Sequence, residues 1–238
     1  MNLTYIFTQI QKLLWPEVCP FCGKASNSGI CQKCRKQLEK LKIKEPRCMQ
    51  CGRPVRYMEQ EYCHDCSKTR HSYDQGYSLW LHRKPVSQSI YRFKYHNQRR
   101  YAIHYVEELQ KEYAPQIRSW QVEKIMPVPL HRKRMRKRGY NQAELIAEIL
   151  GKVLDIPVDK DSLRRSKDTI PQKELGRRER ERNMEGAFSL SDTFMPAGTV
   201  LLIDDIYTTG STLNAAAAAL KKRGVQKVYF LTISIGQG

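Results

Sequence analysis

The sequence predicts an α/β domain, with a mainly parallel sheet flanked by helices, preceded by a small cysteine-rich module. Three observations carry this. All eight cysteines of the 238-residue chain fall between positions 19 and 66. From about residue 71 onward, short apolar runs alternate with amphipathic stretches, the pattern of βα units. One apolar run ends on two adjacent acids and a Thr/Gly/Ser loop, as strands do at the ligand edge of an open α/β sheet. The expected division is 1–70 for the cysteine-rich part and 71–238 for the α/β part.

Composition limits what such a chain can do. Hydrophobic residues make up 40%, enough to build a core and to exclude wholesale disorder. No apolar run approaches the ~18 residues of a membrane-spanning helix. Lys and Arg number 42 against 24 Asp and Glu, a formal charge of +18. Both parts are basic, which suits nucleic acid, an anionic membrane or a phosphorylated small molecule.

Met1–Trp15 carries Leu3, Ile6, Phe7, Ile10, Leu13 and Leu14 at helical spacing. Thr8, Gln9, Gln11 and Lys12 interrupt it and no basic n-region precedes it, so it does not read as a signal peptide. Packing against the rest of the chain is expected, with a partner or membrane surface as the alternative.

The cysteines form four Cys-x-x-Cys pairs: Cys19/Cys22, Cys31/Cys34, Cys48/Cys51 and Cys63/Cys66. Two intervening residues turn both thiolates toward one ion, and four thiolates make a tetrahedral Zn²⁺ site. Gly23 and Gly52 follow two of the knuckles, where a positive φ frees backbone N–H groups to face sulfur. A disulfide framework would need a secretory context, and a redox dithiol accounts for one pair, not four. Two structural zinc ions are therefore expected. Sequential grouping is favoured, and an interleaved cross-brace stays open. His64, inside the last knuckle, is expected at the surface. A module with so little apolar core depends on its metal and presents a basic surface to nucleic acid or protein.

Farther along, Tyr77–Leu81 reads as a strand, and Val86–Tyr95 and Arg99–Tyr113 as helices. Ile125–Val128 is a short strand. Asn141–Leu154 places Ala143, Ile146, Ala147, Ile149 and Leu150 on one helical face. Val200–Ile203 is a continuous apolar strand of the kind buried on both sides of a parallel sheet. Leu213–Lys222 is an alanine-rich helix stopping before Gly224, and Val228–Ile235 is a further buried strand.

The chemistry concentrates after Val200–Ile203. Asp204 and Asp205 suit ribose hydroxyls or a metal ion. Thr208, Thr209, Gly210, Ser211 and Thr212 then open a helix whose N–H groups, hydroxyls and dipole suit a phosphate. In strand–loop–helix context the combination fits a sugar phosphate.

This stretch resembles the signature of type I phosphoribosyltransferases for 5-phosphoribosyl 1-pyrophosphate (PRPP). The resemblance implies that Asp204, Asp205 and Thr208 to Thr212 bind PRPP, accompanied by Mg²⁺. It implies a pyrophosphate loop at Leu130, His131, Arg132 and Lys133, and a mobile flap between 164 and 188. A charged surface helix is the competing account of the flap. Arg134, Arg136, Lys137 and Arg138, with Arg177, Arg178 and Arg182, are the expected DNA-binding cations. Tyr91-Arg92-Phe93-Lys94-Tyr95-His96 interleaves rings and cations as single-strand binders do, although Tyr91 and Tyr95 also fit a core.

Over almost its full length the chain resembles ComF-family competence proteins of the ComFC type, in which a double zinc ribbon precedes a phosphoribosyltransferase-like domain. That resemblance implies a cytoplasmic protein at the inner face of the membrane. It would bind single-stranded DNA and assist uptake in natural transformation with a ComFA-type helicase-like ATPase, retaining a pocket for PRPP or a related phosphate. Membrane association would be peripheral, through the uptake machinery. Active phosphoribosyl transfer is the alternative, with no acceptor site identifiable in the sequence.

Overall fold

A computed structural model describes residues 18–26, 28–166 and 186–236. The apolar stretch at 3–14, and Arg177, Arg178 and Arg182 with most of the flap segment, lie outside the described residues. Helices α1 (Gln32–Leu41) and α2 (His64–Lys68) sit among the cysteines. Then follow β1 (Gln75–Leu81), α3 (Val86–Tyr95), α4 (Tyr101–Ser119), β2 (Lys124–Pro127), α5 (Arg132–Arg138) and α6 (Gln142–Leu154). The chain continues through β3 (Leu163–Arg165), β4 (Phe188–Leu190), β5 (Thr199–Tyr207), α7 (Ser211–Lys222) and β6 (Lys227–Ile235).

The main sheet has the order β1-β6-β5-β2, and every pairing in it is parallel. β5 and β6 take the centre because their apolar runs can be buried on both faces. Strands β3 and β4 form a separate antiparallel pair. Side chains alternate across a strand, so successive residues enter different cores. Leu201, Ile203, Leu231 and Ile233 join one core, which α4 and α6 cover with Tyr105, Leu109, Ile146 and Leu150. Val200, Leu202, Val228 and Phe230 join the other, which α7 and the β3/β4 pair cover with Leu213, Leu220, Leu163 and Phe188. Each such side chain stabilises by roughly 1.5–3 kcal/mol.

The cysteine-rich part is shared between these cores. Cys19, Phe21, Ile30, Cys34 and Leu38 pack in the first, where the Phe21 ring meets Trp80 edge-on at 5.5 Å. Cys48, Cys51, Cys63 and Cys66 pack in the second, with Tyr73, Tyr207 and Phe230.

Most element boundaries match the sequence expectation, and three do not. Helix α4 runs past the expected Tyr113 end and through Pro115. A proline disfavours helix in the residue before it, but burial of Ala114, Ile117 and Trp120 holds the extra turns. Strand β5 outlasts Ile203, because β6 pairs Thr232 with Asp204, Ser234 with Ile206 and Ile235 with Tyr207. The two acids thus lie in the strand's last turns of pleat rather than beyond it. The cationic run after Leu130 is helical rather than a loop, closed by Gly139 in the left-handed conformation.

Candidate functional site: a charged cleft and two cysteine sites

Each cysteine group is sequential. Cys19, Cys22, Cys31 and Cys34 come together, as do Cys48, Cys51, Cys63 and Cys66, with the sulfur atoms of each group within 4.8 Å of one another. The Cys22–Cys31 and Cys51–Cys63 sulfurs are 3.8 and 3.6 Å apart. A tetrahedral zinc with bonds of about 2.3 Å needs edges of about 3.8 Å, so the donor set fits Zn²⁺. The interleaved alternative does not hold. Gly23 and Gly52 have φ of +77° and +69°, as the knuckles require. His64 belongs to neither group, and its side chain is 75% exposed.

A second feature lies at the carboxyl edge of β5. A cavity of about 380 Å³ opens there, between α3, the chain after β2, α5 and the loop before α7. Asp204 and Asp205 both line it, with Thr208, Thr212, Leu130, Arg134, Lys137 and Arg138. Of the other expected residues, Thr209, Gly210 and Ser211 shape the loop without forming the wall. The Thr209 and Ser211 hydroxyls bond at 2.6 Å, and Gly210 takes φ +78° as the N-cap of α7. A Cβ there would fall 2.5 Å from the Tyr207 hydroxyl, so both backbone and space require glycine. His131, Arg132, Lys133 and Arg136 stand on or beside α5 away from the cavity wall.

The twin acids differ in their surroundings. Asp205 is buried and accepts from the Lys94 ammonium through both oxygens, each at 2.8 Å. Lys94 stands one helical turn after Ile90, on the flank of the α3 face that Val86, Ile90 and Phe93 bury, and its side chain is only 16% exposed. Asp204 accepts the Asp205 N–H at 2.8 Å. Although part of its side chain reaches the cavity, the protein around it and then the neighbouring Asp205 charge push its carboxyl up to about 7. The folded state therefore holds this proton more tightly than the unfolded chain. Stability from this group is greatest below about pH 4 and declines as pH rises through 7. Asp204→Asn keeps the acceptor and removes the charge. In thermal melts it is expected to gain on wild type by on the order of 2 kcal/mol between pH 5 and pH 8. A constant difference across that range refutes the assignment.

Three cavity residues were not legible as such. Lys94 and Tyr95 stand out in the sequence only as part of an alternating stretch, and nothing local ties position 94 to an acid 111 residues later. Arg165, at the end of β3, lines the same cavity. Tyr91 and Tyr95 are surface rings, 53% and 47% exposed, whereas Phe93 and Tyr101 are core. The Tyr91 and Tyr95 rings lie 4.9 Å apart. The Arg138 guanidinium lies 5.1 Å over Tyr95 and donates to its hydroxyl at 3.2 Å.

Comparison with known proteins agrees with both halves of this picture. Residues 10–67 match the double zinc ribbon domain and residues 137–234 the phosphoribosyl transferase domain. The chain is 36% identical to competence protein F of Haemophilus influenzae over 208 residues, 85% of this chain and 89% of that one. It is 28% identical to competence protein ComFC of Bacillus subtilis, covering 82% of this chain and 79% of that one. To the DNA utilization protein YhgH of Escherichia coli the identity is 27%, covering 90% and 94%.

Proposed function

The chain belongs to the family of competence protein F, and from that premise we propose that it handles single-stranded DNA during uptake and keeps a pocket for PRPP or a terminal phosphate. One observation carries the reading. The exposed Tyr91–Tyr95 ring pair leads, under Arg138, into the cavity that holds Asp204, Asp205 and the phosphate loop. Rings of this kind stack on bases while flanking cations follow the backbone. The cations of α5 continue the track. Mg²⁺ entering with PRPP would meet hard oxygen donors at Asp204 and the loop hydroxyls, and would neutralise pyrophosphate charge. The same proposal places the protein on the cytoplasmic side of the membrane, working with a ComFA-type helicase-like ATPase. Among the described residues no helix is long and apolar enough to cross a membrane.

A second reading is phosphoribosyl transfer to an acceptor of unknown class. It is favoured by the match to the phosphoribosyl transferase domain and by the two acids sharing a cavity with the loop. Pyrophosphate release with a panel of bases separates catalyst from binder.

The test uses fluorescence anisotropy with a 5′-phosphorylated oligonucleotide, with and without PRPP–Mg²⁺. Tyr91→Ala with Tyr95→Ala is expected to weaken binding by roughly tenfold or more, since each stacked base contributes about 1–3 kcal/mol. PRPP is expected to compete, and calorimetry is expected to lose the PRPP signal in Asp205→Asn. Full binding by the tyrosine variant removes the ring track. Equal PRPP binding by wild type and Asp205→Asn removes the acid assignment.

A further inference from the structure

The second cysteine site reaches the phosphate loop through one side chain. Cys51 and Gly52 form the knuckle, and the Gly52 N–H donates to the Cys48 carbonyl at 2.9 Å. The Cys48 N–H donates to the Arg53 carbonyl at 2.8 Å, so the knuckle fixes the backbone of Arg53. The knuckle is itself pressed on the sheet. A Cβ at Gly52 would lie 2.7 Å from the Gly76 carbonyl oxygen, beside the start of β1.

From that anchor the Arg53 side chain, only 13% exposed, reaches the carboxyl ends of β5 and β6. Its Nη1 donates to the Gly236 carbonyl at 2.8 Å and its Nη2 to the Thr208 carbonyl at 2.9 Å. Thr208 is the residue where the loop leaves β5, and Gly236 follows β6. The Gly236 N–H donates to the Tyr207 carbonyl at 2.8 Å, closing the same junction. The guanidinium also lies 6.0 Å over the Tyr207 ring and 3.7 Å from Asp65 of α2. Tyr207 in turn bonds the Tyr73 hydroxyl at 2.7 Å. The two ends of the central strands are thus tied to one planar fork with fixed donor directions. At the first site, Lys24 follows the equivalent glycine, Gly23, and the link to the α/β part runs the other way, from Arg92 of α3 to the Phe21 carbonyl at 2.9 Å.

We propose that Arg53 is a positioning residue for the phosphate loop: the second metal knuckle holds it, and its fork sets the Thr208 carbonyl from which the loop departs. The role in ligand binding rests on the loop being a phosphate cradle; the role in loop geometry does not. One of the two cysteine sites is then part of the pocket's construction as well as of the chain's stability.

The test compares the intact wild-type chain with Arg53→Gln and Arg53→Lys. Both variants are first measured for zinc and melting temperature. Amide hydrogen exchange across 207–212 then reads loop geometry directly, and titration with ribose 5-phosphate reads its use. Arg53→Gln with full zinc content is expected to exchange at least tenfold faster in this segment, with amides of α6 unchanged, and to bind ribose 5-phosphate about tenfold more weakly. Lysine keeps the charge but cannot span both carbonyls, so Arg53→Lys is expected to fall between. Unchanged exchange in the loop overturns the proposal, whatever the affinity. Faster exchange in a chain whose wild type does not bind ribose 5-phosphate sustains the positioning role and removes the phosphate reading instead. Should Arg53→Gln fail to fold, Arg53→Lys decides: wild-type exchange overturns the proposal, and loop-confined acceleration supports it.

Discussion

Serine at both Cys48 and Cys51 is expected to halve the zinc content, from two ions per chain to one, and to destabilise the sheet together with the ribbon. Structural zinc contributes an apparent 10–16 kcal/mol or so in small modules, comparable to the whole stability of an ordinary domain. The second cysteine group is packed in one core with Val200, Leu202, Val228 and Phe230. Its loss therefore exposes the face of the central strands, and does not merely free an appendage. If about 5 kcal/mol of the effect reaches the sheet, the melting temperature falls by roughly 10–20 °C at this size. Near-UV dichroism follows the sheet through Trp80 and Trp120, which are buried against it. Elemental analysis gives the zinc count. A sheet transition at the wild-type temperature, with one ion lost, would mean that the ribbon melts alone.

The second large effect concerns charge. Arg134, Arg136 and Lys137 lie on α5, which has no acidic residue in its first turn and no buried side chain. Glutamate at all three positions is expected to weaken single-strand binding by on the order of 10²-fold at low salt. For the wild type, about six phosphate contacts are expected, with a log–log salt slope near −4 and a loss of roughly 10²–10³ between 50 and 200 mM salt. Neutral glutamines at the three sites are expected to flatten that slope by about 2, since each single-strand contact contributes about 0.7. Affinity that is insensitive to salt, or to the three substitutions, places the DNA elsewhere on the chain.

These expectations draw on features that the sequence reveals unequally. Motifs in which neighbours in the chain are neighbours in space were legible. The four knuckles, the strand leading to Asp204 and the Thr208–Thr212 loop each declare themselves by local spacing. Helix ends followed local rules where caps decided them, as at Asn141, whose side chain accepts from Ala143 N. They failed where burial overrode them, as at Pro115. The cavity's remaining parts come from distant segments. Lys94 meets Asp205, and Arg53 meets Thr208 and Gly236, only after the sheet has formed. No periodicity encodes such pairings. The exposure of Tyr91 and Tyr95 was equally open from spacing alone, because two rings at i and i+4 share one helix face and that spacing suits a core stripe as well as a surface pair.

The strand order has a consequence for how the polypeptide matures. β1 sits at the sheet's edge and its neighbour is β6, which is made more than 140 residues later. A nascent chain emerging from the ribosome can ligate metal early, yet its first strand has no hydrogen-bonding neighbour in the sheet until translation is nearly finished. Contacts of such long sequence separation form slowly and leave apolar surface open meanwhile. Both cysteine groups precede β1 in the chain, and each packs in a different one of the two cores that β5 and β6 complete.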